Sequence, residues 1–373
     1  MSAQVQKQDG EGLVLLAAGG TGGHLFPAEA LARELIARGH PVALVTDTRG
    51  ARFPVEGVRA YSVHAARLRG GLWGRVRFFG DLALGILGAR RLLSRLKPSA
   101  VVGFGGYPSF PTMAAATLLH VPTVIHDQNA VLGRANAKLA PRVRAIATAF
   151  AEVKGVTAAD RLKITRTGNP VRPAITALRN VPYVPPQADG PIHLLIIGGS
   201  QGARILSRVV PAALLALPEA LRLRLRVSQQ VRREDVEVVS SAYAGSGLAI
   251  ETAAFFADIP ERLAQAHLVL SRSGGSTTAE LAVAGRPAIL VPFAGAIADE
   301  QTANARALIE QGGGWLLPEA DFTPETLAHL LAERLSDPAS LTAAAAAAWR
   351  QSEPAAAQNL ADLVEHIAKG TRP

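Results

Sequence analysis

The chain has 373 residues, 49% of them hydrophobic and 18% charged, about twice the length at which a single core stops being the default, so two domains are expected and a disordered tail is excluded. Aromatics make up only 5%, while 35 Gly and 24 Pro are spread along the chain, a composition that favours a helix-rich α/β protein over a β-sandwich. The formal net charge is +9 and cysteine is absent, which excludes disulfide scaffolds, thiolate metal sites and cysteine nucleophiles and permits a reducing compartment.

The polar start, MSAQVQKQDGEG, is followed by the apolar run Leu13 to Ala18, too short and too soon broken by glycine for a secretory segment, so a cytoplasmic protein is expected. That run predicts a buried strand, Gly19-Gly20-Thr21-Gly22-Gly23-His24 a turn, and Pro27 to Ala37 a helix. Val42 to Thr46 predicts a second strand, ending at Asp47.

Between Arg67 and Lys97 eight basic residues (Arg67, Arg69, Arg75, Arg77, Arg90, Arg91, Arg95, Lys97) stand against one acid, Asp81. Interleaved with them are Leu72, Trp73, Phe78, Phe79, Leu82, Leu84, Ile86 and Leu87. Bulky apolar side chains among cations suit an anionic membrane surface, or equally a basic helix packed on the domain core. Glycines interrupt Leu82 to Ala89 and Arg90 and Arg91 close it, so it does not span a membrane. No recognition motif, aromatic array or zinc module accompanies the charge, so nucleic acid is not an expected partner.

Ala100 to Val102 and Thr123 to Ile125 predict further parallel strands. A stretch with Pro170, Pro173, Pro182, Pro185, Pro186 and Pro191 predicts a linker. The strand–glycine–helix pattern then recurs: Ile192 to Ile197, Gly198-Gly199-Ser200-Gln201-Gly202-Ala203, and Ile205 to Leu217. Strands are expected at Leu223 to Val227, Leu268 to Leu270 and Ala288 to Val291, and closing helices over Leu341 to Arg350 and on to Ala368.

Three glycine loops follow strands: Gly19 to His24, Gly103 to Pro108 (GFGGYP) and Gly198 to Ala203. Such loops let backbone N–H groups approach phosphate oxygens, and a following helix adds about half a positive charge there. None is a Walker A motif, and the first departs from G-x-G-x-x-G because its third position is Leu25. Asp47 still leaves a dinucleotide enzyme among the alternatives. The stretch Ser271-Arg272-Ser273-Gly274-Gly275-Ser276-Thr277-Thr278-Ala279-Glu280-Leu281 is more specific. It offers hydroxyls and N–H groups at a helix start and puts Glu280 one turn in, within reach of a ribose diol; the competing explanation is a capping box.

These motifs, with His126-Asp127-Gln128-Asn129, Gly168-Asn169-Pro170-Val171-Arg172 and the run from Phe255 through Glu280 to Asn304, stand in the order seen in the MurG family, which the chain resembles over nearly its whole length. That family is the UDP-N-acetylglucosamine:undecaprenyl-diphospho-muramoylpentapeptide N-acetylglucosaminyltransferase. The resemblance implies a GT-B α/β fold, two doubly wound Rossmann-like domains facing across a cleft. Residues 1–170 would take the lipid-linked acceptor and face the membrane, residues 171–344 would bind UDP-GlcNAc, and a C-terminal helix, about 345–373, would pack back on the first domain.

Carried over by position, Ser200, Arg172 and the turn Gly275, Ser276, Thr277, Thr278, Ala279 and Glu280 would hold the nucleotide and diphosphate. Phe256 would lie against the uracil, Glu280 would take the ribose hydroxyls, and Gln301 and Asn129 would contact the sugar, with Thr21, Gly22 and Gly23 closing over the donor. Departures from the family pattern occur at Ser228-Gln229 (commonly His-Gln), Ala294-Gly295 (commonly Pro-His), Glu300 (a Gln or His) and Asp127 (usually Glu).

The expected reaction inverts the anomeric carbon, with UDP leaving. The chain has no Asp-x-Asp triplet, so no metal and no cofactor are expected, and the diphosphate would rest on helix N-termini, hydroxyls and Arg172. His24, at a helix start that favours neutral imidazole, is the first candidate for the base, with Asp127 and His126 in reserve. The expected place is peripheral, at the cytoplasmic face of the cell membrane. A UDP-GlcNAc 2-epimerase and a non-catalytic membrane adaptor are the alternatives; the first needs no basic apolar segment, the second no Ser273 to Glu280 turn.

Overall fold

The computed structural model describes residues 12–47, 53, 55–63, 72–199, 202–296 and 298–370, with backbone alone for 72–77. They form two compact units, Met1–Arg172 with Glu353–Pro373, and Pro173–Ser352.

The first unit holds β1 (Val14–Ala17), β2 (Val42–Thr46), β3 (Arg59–Ser62), β4 (Ala100–Gly103), β5 (Thr123–Asp127), β6 (Ala145–Thr148) and β7 (Ile164–Arg166). All pair in parallel, in the order β3-β2-β1-β4-β5-β6-β7. Alternation along each strand sends its side chains to two cores. Val14, Leu16, Leu44 and Val102 meet Leu31 and Leu35 of helix Gly22–Ala37 and Leu360, Val364 and Ile367 of helix Ala356–Ala368. Leu15, Val45, Val101 and Ile125 meet Ala89, Leu93 and Leu96 of helix Leu72–Leu96 and Met113 of helix Ser109–Leu118.

The second unit holds β8 (Ile192–Ile197), β9 (Leu225–Gln230), β10 (Ala249–Ala253), β11 (Leu268–Ser271), β12 (Ala288–Leu290) and β13 (Gly314–Leu316), again all parallel, in the order β10-β9-β8-β11-β12-β13. Strand order reverses between β1 and β4 in one sheet and between β8 and β11 in the other. Ligands of open α/β sheets bind beyond the carboxyl ends of strands at such a reversal. The glycine loops and the Ser273–Glu280 turn follow those four strands.

Three expectations change. The C-terminal helix expected over about 345–373 is two helices: Pro338–Gln351 packs on helix Gly275–Ala284 in the second unit, and only Ala356–Ala368 belongs to the first. Ser352 caps the earlier helix in an extended conformation, and Pro354 follows, which disfavours helix for the residue before it. The proline-rich linker is partly regular and, from Pro173 on, belongs to the second unit: Pro173–Ala177 is helical with proline at its start, and the Tyr183 hydroxyl donates to the His267 carbonyl at 2.9 Å. The strand expected from Leu223 starts at Leu225, because Leu223 caps the short helix Glu219–Arg222.

Candidate active site

In the first unit the turn after β1 delivers His24 into the loop after β4. Thr21 is the extended N-cap of helix Gly22–Ala37, and its carbonyl accepts from the N–H groups of His24 and Leu25 at 3.0 Å, which sets Gly22 and Gly23 in the first helical turn. The His24 ring lies against Gly19 and Gly106. A Cβ on Gly19 would stand 3.1 Å from His24 Cδ2, and one on Gly106, whose φ is +78°, 3.2 Å from Cδ2 and 3.3 Å from Nε2. The GFGGYP motif thus makes room for an imidazole.

His24 Nδ1 is 2.8 Å from the Phe104 carbonyl oxygen and 2.8 Å from the Gln128 side-chain amide. Burial pushes the His24 imidazole below its ordinary value near 6.5, against the hydrogen bond to Phe104. His126, fully buried at the end of β5, donates from Nε2 to the Gly168 carbonyl at 3.1 Å, and burial holds it neutral down to about 4.

Asp127 is committed to its own loop. Its Oδ1 accepts from the Asn129 amide at 3.1 Å, and its Oδ2 from the Gly133 amide at 2.8 Å and from Asn136 Nδ2 at 3.0 Å. Burial pushes this carboxyl up while those hydrogen bonds favour its ionised form. It braces the loop that carries Gln128 and Asn129. The Arg172 guanidinium lies over the Phe26 ring, 4.4 Å from its centroid.

In the second unit the turn after β11 is built as a helix start. Gly274 is the N-cap of helix Gly275–Ala284 and makes no side-chain cap bond, which removes the capping-box explanation. Glu280 is buried on the second turn, Ser276, Thr277 and Ala279 are half-buried, and the Thr278 hydroxyl donates back to the Gly275 carbonyl at 3.0 Å. The Ser273 hydroxyl donates to the Gln301 carbonyl at 2.8 Å and Asn304 Nδ2 to the Ser273 carbonyl at 3.1 Å, so helix Glu300–Ile309 is tied to this turn. The Gln301 side chain accepts from the Phe293 amide at 3.0 Å.

Phe256 is buried, 4% exposed, with the Arg262 guanidinium 4.0 Å over its ring; its neighbour Phe255 is 74% exposed. Arg262 also donates to Ser228 Oγ at 2.6 Å, to both Glu251 carboxylate oxygens and to Asp258. Ser228, where the family commonly has His, therefore serves as an acceptor for that arginine. Glu300 accepts from the Ala298 amide at 3.3 Å. Ser200 lies outside the described residues.

A cavity of about 320 Å³ beside helix Ile259–Gln265 is lined by Ser228, Glu251 and Arg262 and by none of the predicted site residues. Among the described residues, no three His, Asp or Glu side chains converge as metal ligands, and no helix is long and apolar enough to cross a membrane. Sequence reasoning gave no role to Gln128, Arg262 or Glu319. Gln128 lies in the His126-Asp127-Gln128-Asn129 motif, whereas Glu319 is 47 residues from the Arg272 it pairs with and has no local signature.

Known families match both units. The description "Glycosyltransferase family 28 N-terminal domain" matches residues 14–148, and "Glycosyltransferase family 28 C-terminal domain" residues 193–364. The chain belongs to glycosyltransferase family 28, in its MurG group. It is 54% identical over 353 residues, 94% of this chain and 93% of the other, to the UDP-N-acetylglucosamine–N-acetylmuramyl-(pentapeptide) pyrophosphoryl-undecaprenol N-acetylglucosamine transferase of Rhodospirillum centenum. It is 52% identical over 355 residues, 94% of this chain and 96% of the other, to the protein of the same name from Paramagnetospirillum magneticum.

Among solved structures, Acinetobacter baumannii MurG superposes with a TM-score of 0.74 at 31% identity, covering 95% of this chain and 98% of that one. A putative UDP-N-acetylglucosamine 2-epimerase from Listeria monocytogenes superposes with a TM-score of 0.67 at 15% identity, covering 97% and 98%, a likeness of fold alone. The α/β fold of two Rossmann-like units and the family named from sequence motifs both stand.

Proposed function

We propose that this chain transfers N-acetylglucosamine from UDP-N-acetylglucosamine to the undecaprenyl-diphosphate-linked muramoyl-pentapeptide, with inversion and without metal. The observation that carries this reading is the match along 94% of the chain to the Rhodospirillum centenum transferase. The glycine-capped helix start with buried Glu280, placed at the strand-order reversal of the second sheet, gives it a chemical basis.

The acceptor hydroxyl oxygen attacks the anomeric carbon, the bond to the UDP oxygen breaks, and the hydroxyl proton goes to His24 Nε2. Burial keeps that imidazole neutral at physiological pH, the form that accepts a proton. Negative charge developing on UDP is met by N-terminal dipoles of helices Gly275–Ala284 and Arg204–Leu215. Glu280 takes the ribose hydroxyls, and Asp127 holds the loop that presents Asn129. Helix Leu72–Leu96 docks on anionic lipid, at the cytoplasmic face of the membrane where the acceptor lies.

The test is incubation of the purified protein, in EDTA, with radiolabelled UDP-GlcNAc and a short-chain analogue of the lipid-linked acceptor. Label on the acceptor is expected. Loss of UDP without an acceptor, or tight UDP binding without turnover, would overturn the reading in favour of an epimerase or an adaptor.

A further inference from the structure

We infer that Gln128 is a positioning residue: its side-chain oxygen shares the Nδ1 proton of His24 with the Phe104 carbonyl and so fixes the imidazole with its lone pair on Nε2. This rests on the proposed role of His24 as the base.

The Phe104 carbonyl oxygen, 2.8 Å from His24 Nδ1, can only accept, so Nδ1 carries the proton. A protonated ring nitrogen has no in-plane lone pair left, yet the Gln128 amide nitrogen is placed 2.8 Å from it, donor against donor. The opposite choice, an unprotonated Nδ1 accepting from the amide, would aim its lone pair at the Phe104 oxygen across the same 2.8 Å.

The two ends of a glutamine amide have the same shape and are told apart by their partners. Gln128 Oε1 is buried without one. Turning the amide end for end removes the donor–donor contact and puts Oε1 on the Nδ1 proton. The amide nitrogen then takes the partnerless place that the oxygen had, so what favours the turned amide is the removal of the donor–donor contact at Nδ1.

The surroundings hold Gln128 there. It is 5% exposed and follows β5 in the loop that Asp127 braces through Asn129, Gly133 and Asn136. Two acceptors on one N–H select the tautomer, and both dipoles favour the imidazolium that forms when Nε2 takes the acceptor proton. Unlike a carboxylate at the same position, a neutral amide does this without drawing the resting imidazole into its charged form.

The experiment is nitrogen-15 NMR of histidine-labelled, full-length protein, with the His24 signals identified by their loss in His24→Gln. An Nδ1-protonated, Nε2-unprotonated ring is expected; an Nε2-protonated ring overturns the inference. Gln128→Leu is expected to lower kcat on the order of 10- to 100-fold with little change in KM for the donor. Gln128→Glu should keep most of kcat above neutrality and move the acid limb of kcat/KM upward, since a carboxylate beside the ring favours imidazolium. An unmoved acid limb, or equal losses in both variants with the tautomer unchanged, would show a merely structural residue. The NMR result needs no substrate: an active enzyme with the opposite tautomer defeats this inference alone, and an inactive wild type defeats the functional reading alone.

Discussion

Arg272 Nη1 donates to Glu319 Oε2 across 2.8 Å, and the same carboxylate oxygen accepts the Ala294 amide at 3.1 Å. Arg272 also donates to the carbonyls of Val291 and Pro292, so one buried guanidinium and one carboxylate clamp the segment after β12 on both sides. Phe293, in the middle of that segment, is held by the Gln301 side chain. Removing one partner of a buried pair is worse than never having built it, because the other charge is left uncompensated. Glu319→Ala should lower stability by about 2–3 kcal/mol, less than for a wholly buried pair because the Glu319 side chain is 23% exposed. Urea unfolding measures the first effect. Calorimetry should show UDP binding weakened about tenfold, roughly 1.4 kcal/mol.

Stability should fall with acid because of His126. In the folded chain it stays neutral down to about 4, against an ordinary value of 6.5. Above 6.5 neither state binds the proton. Between 6.5 and 4 the unfolded chain takes it up and the folded one does not, so stability declines with falling pH, and below 4 the loss levels off. The full difference is about 3 kcal/mol. His126→Gln should flatten urea midpoints measured between pH 7 and pH 5 relative to the parent.

Gly106→Ala separates backbone strain from crowding of the base. Gly106 has a φ of +78° and Gly57 one of +81°, but a Cβ at Gly57 meets nothing within 4 Å while one at Gly106 presses on the His24 ring. Each substitution should cost about 1–2 kcal/mol in thermal unfolding, the left-handed penalty. Transfer activity should fall at least tenfold in Gly106→Ala and stay near parental in Gly57→Ala.

Membrane docking can be tested on a face that the structure leaves open. Along helix Leu72–Leu96, Ala89, Leu93 and Leu96 face the core, whereas Phe79, Leu84 and Leu87 are exposed beside Arg90, Arg91 and Arg95. Phe78 is partly buried and packs edge-to-face on Phe79; the side chains of Trp73, Arg75 and Arg77, and residues Arg67 and Arg69 altogether, lie outside the described residues. Changing Phe79, Leu84 and Leu87 together to Ser removes mainly exposed surface and one ring contact, with Phe78, and leaves Ala89, Leu93 and Leu96 in the core, so folding should survive. Sedimentation with anionic vesicles should drop by an order of magnitude or more. Unchanged binding would assign the face to something other than lipid.

Local physics made much of this protein legible from its sequence. The run Leu13 to Ala18 followed by glycines, and its repeat at Ile192 to Ile197, gave both first strands and the turns after them, because strand burial and turn chemistry depend on adjacent residues. The Ser273 to Glu280 turn was readable for the same reason, since its helix and glycine cap lie within ten residues. What the fold decided are relationships between distant positions. Nothing near Arg272 tells that Glu319, 47 residues on, will meet it. His24 and Gln128 are 104 residues apart, and only the parallel order of β1, β4 and β5 sets the two side chains on one nitrogen. Periodicity and turn residues fix each element through its neighbours, whereas side-chain pairings across a sheet follow from strand order, which no local pattern encodes.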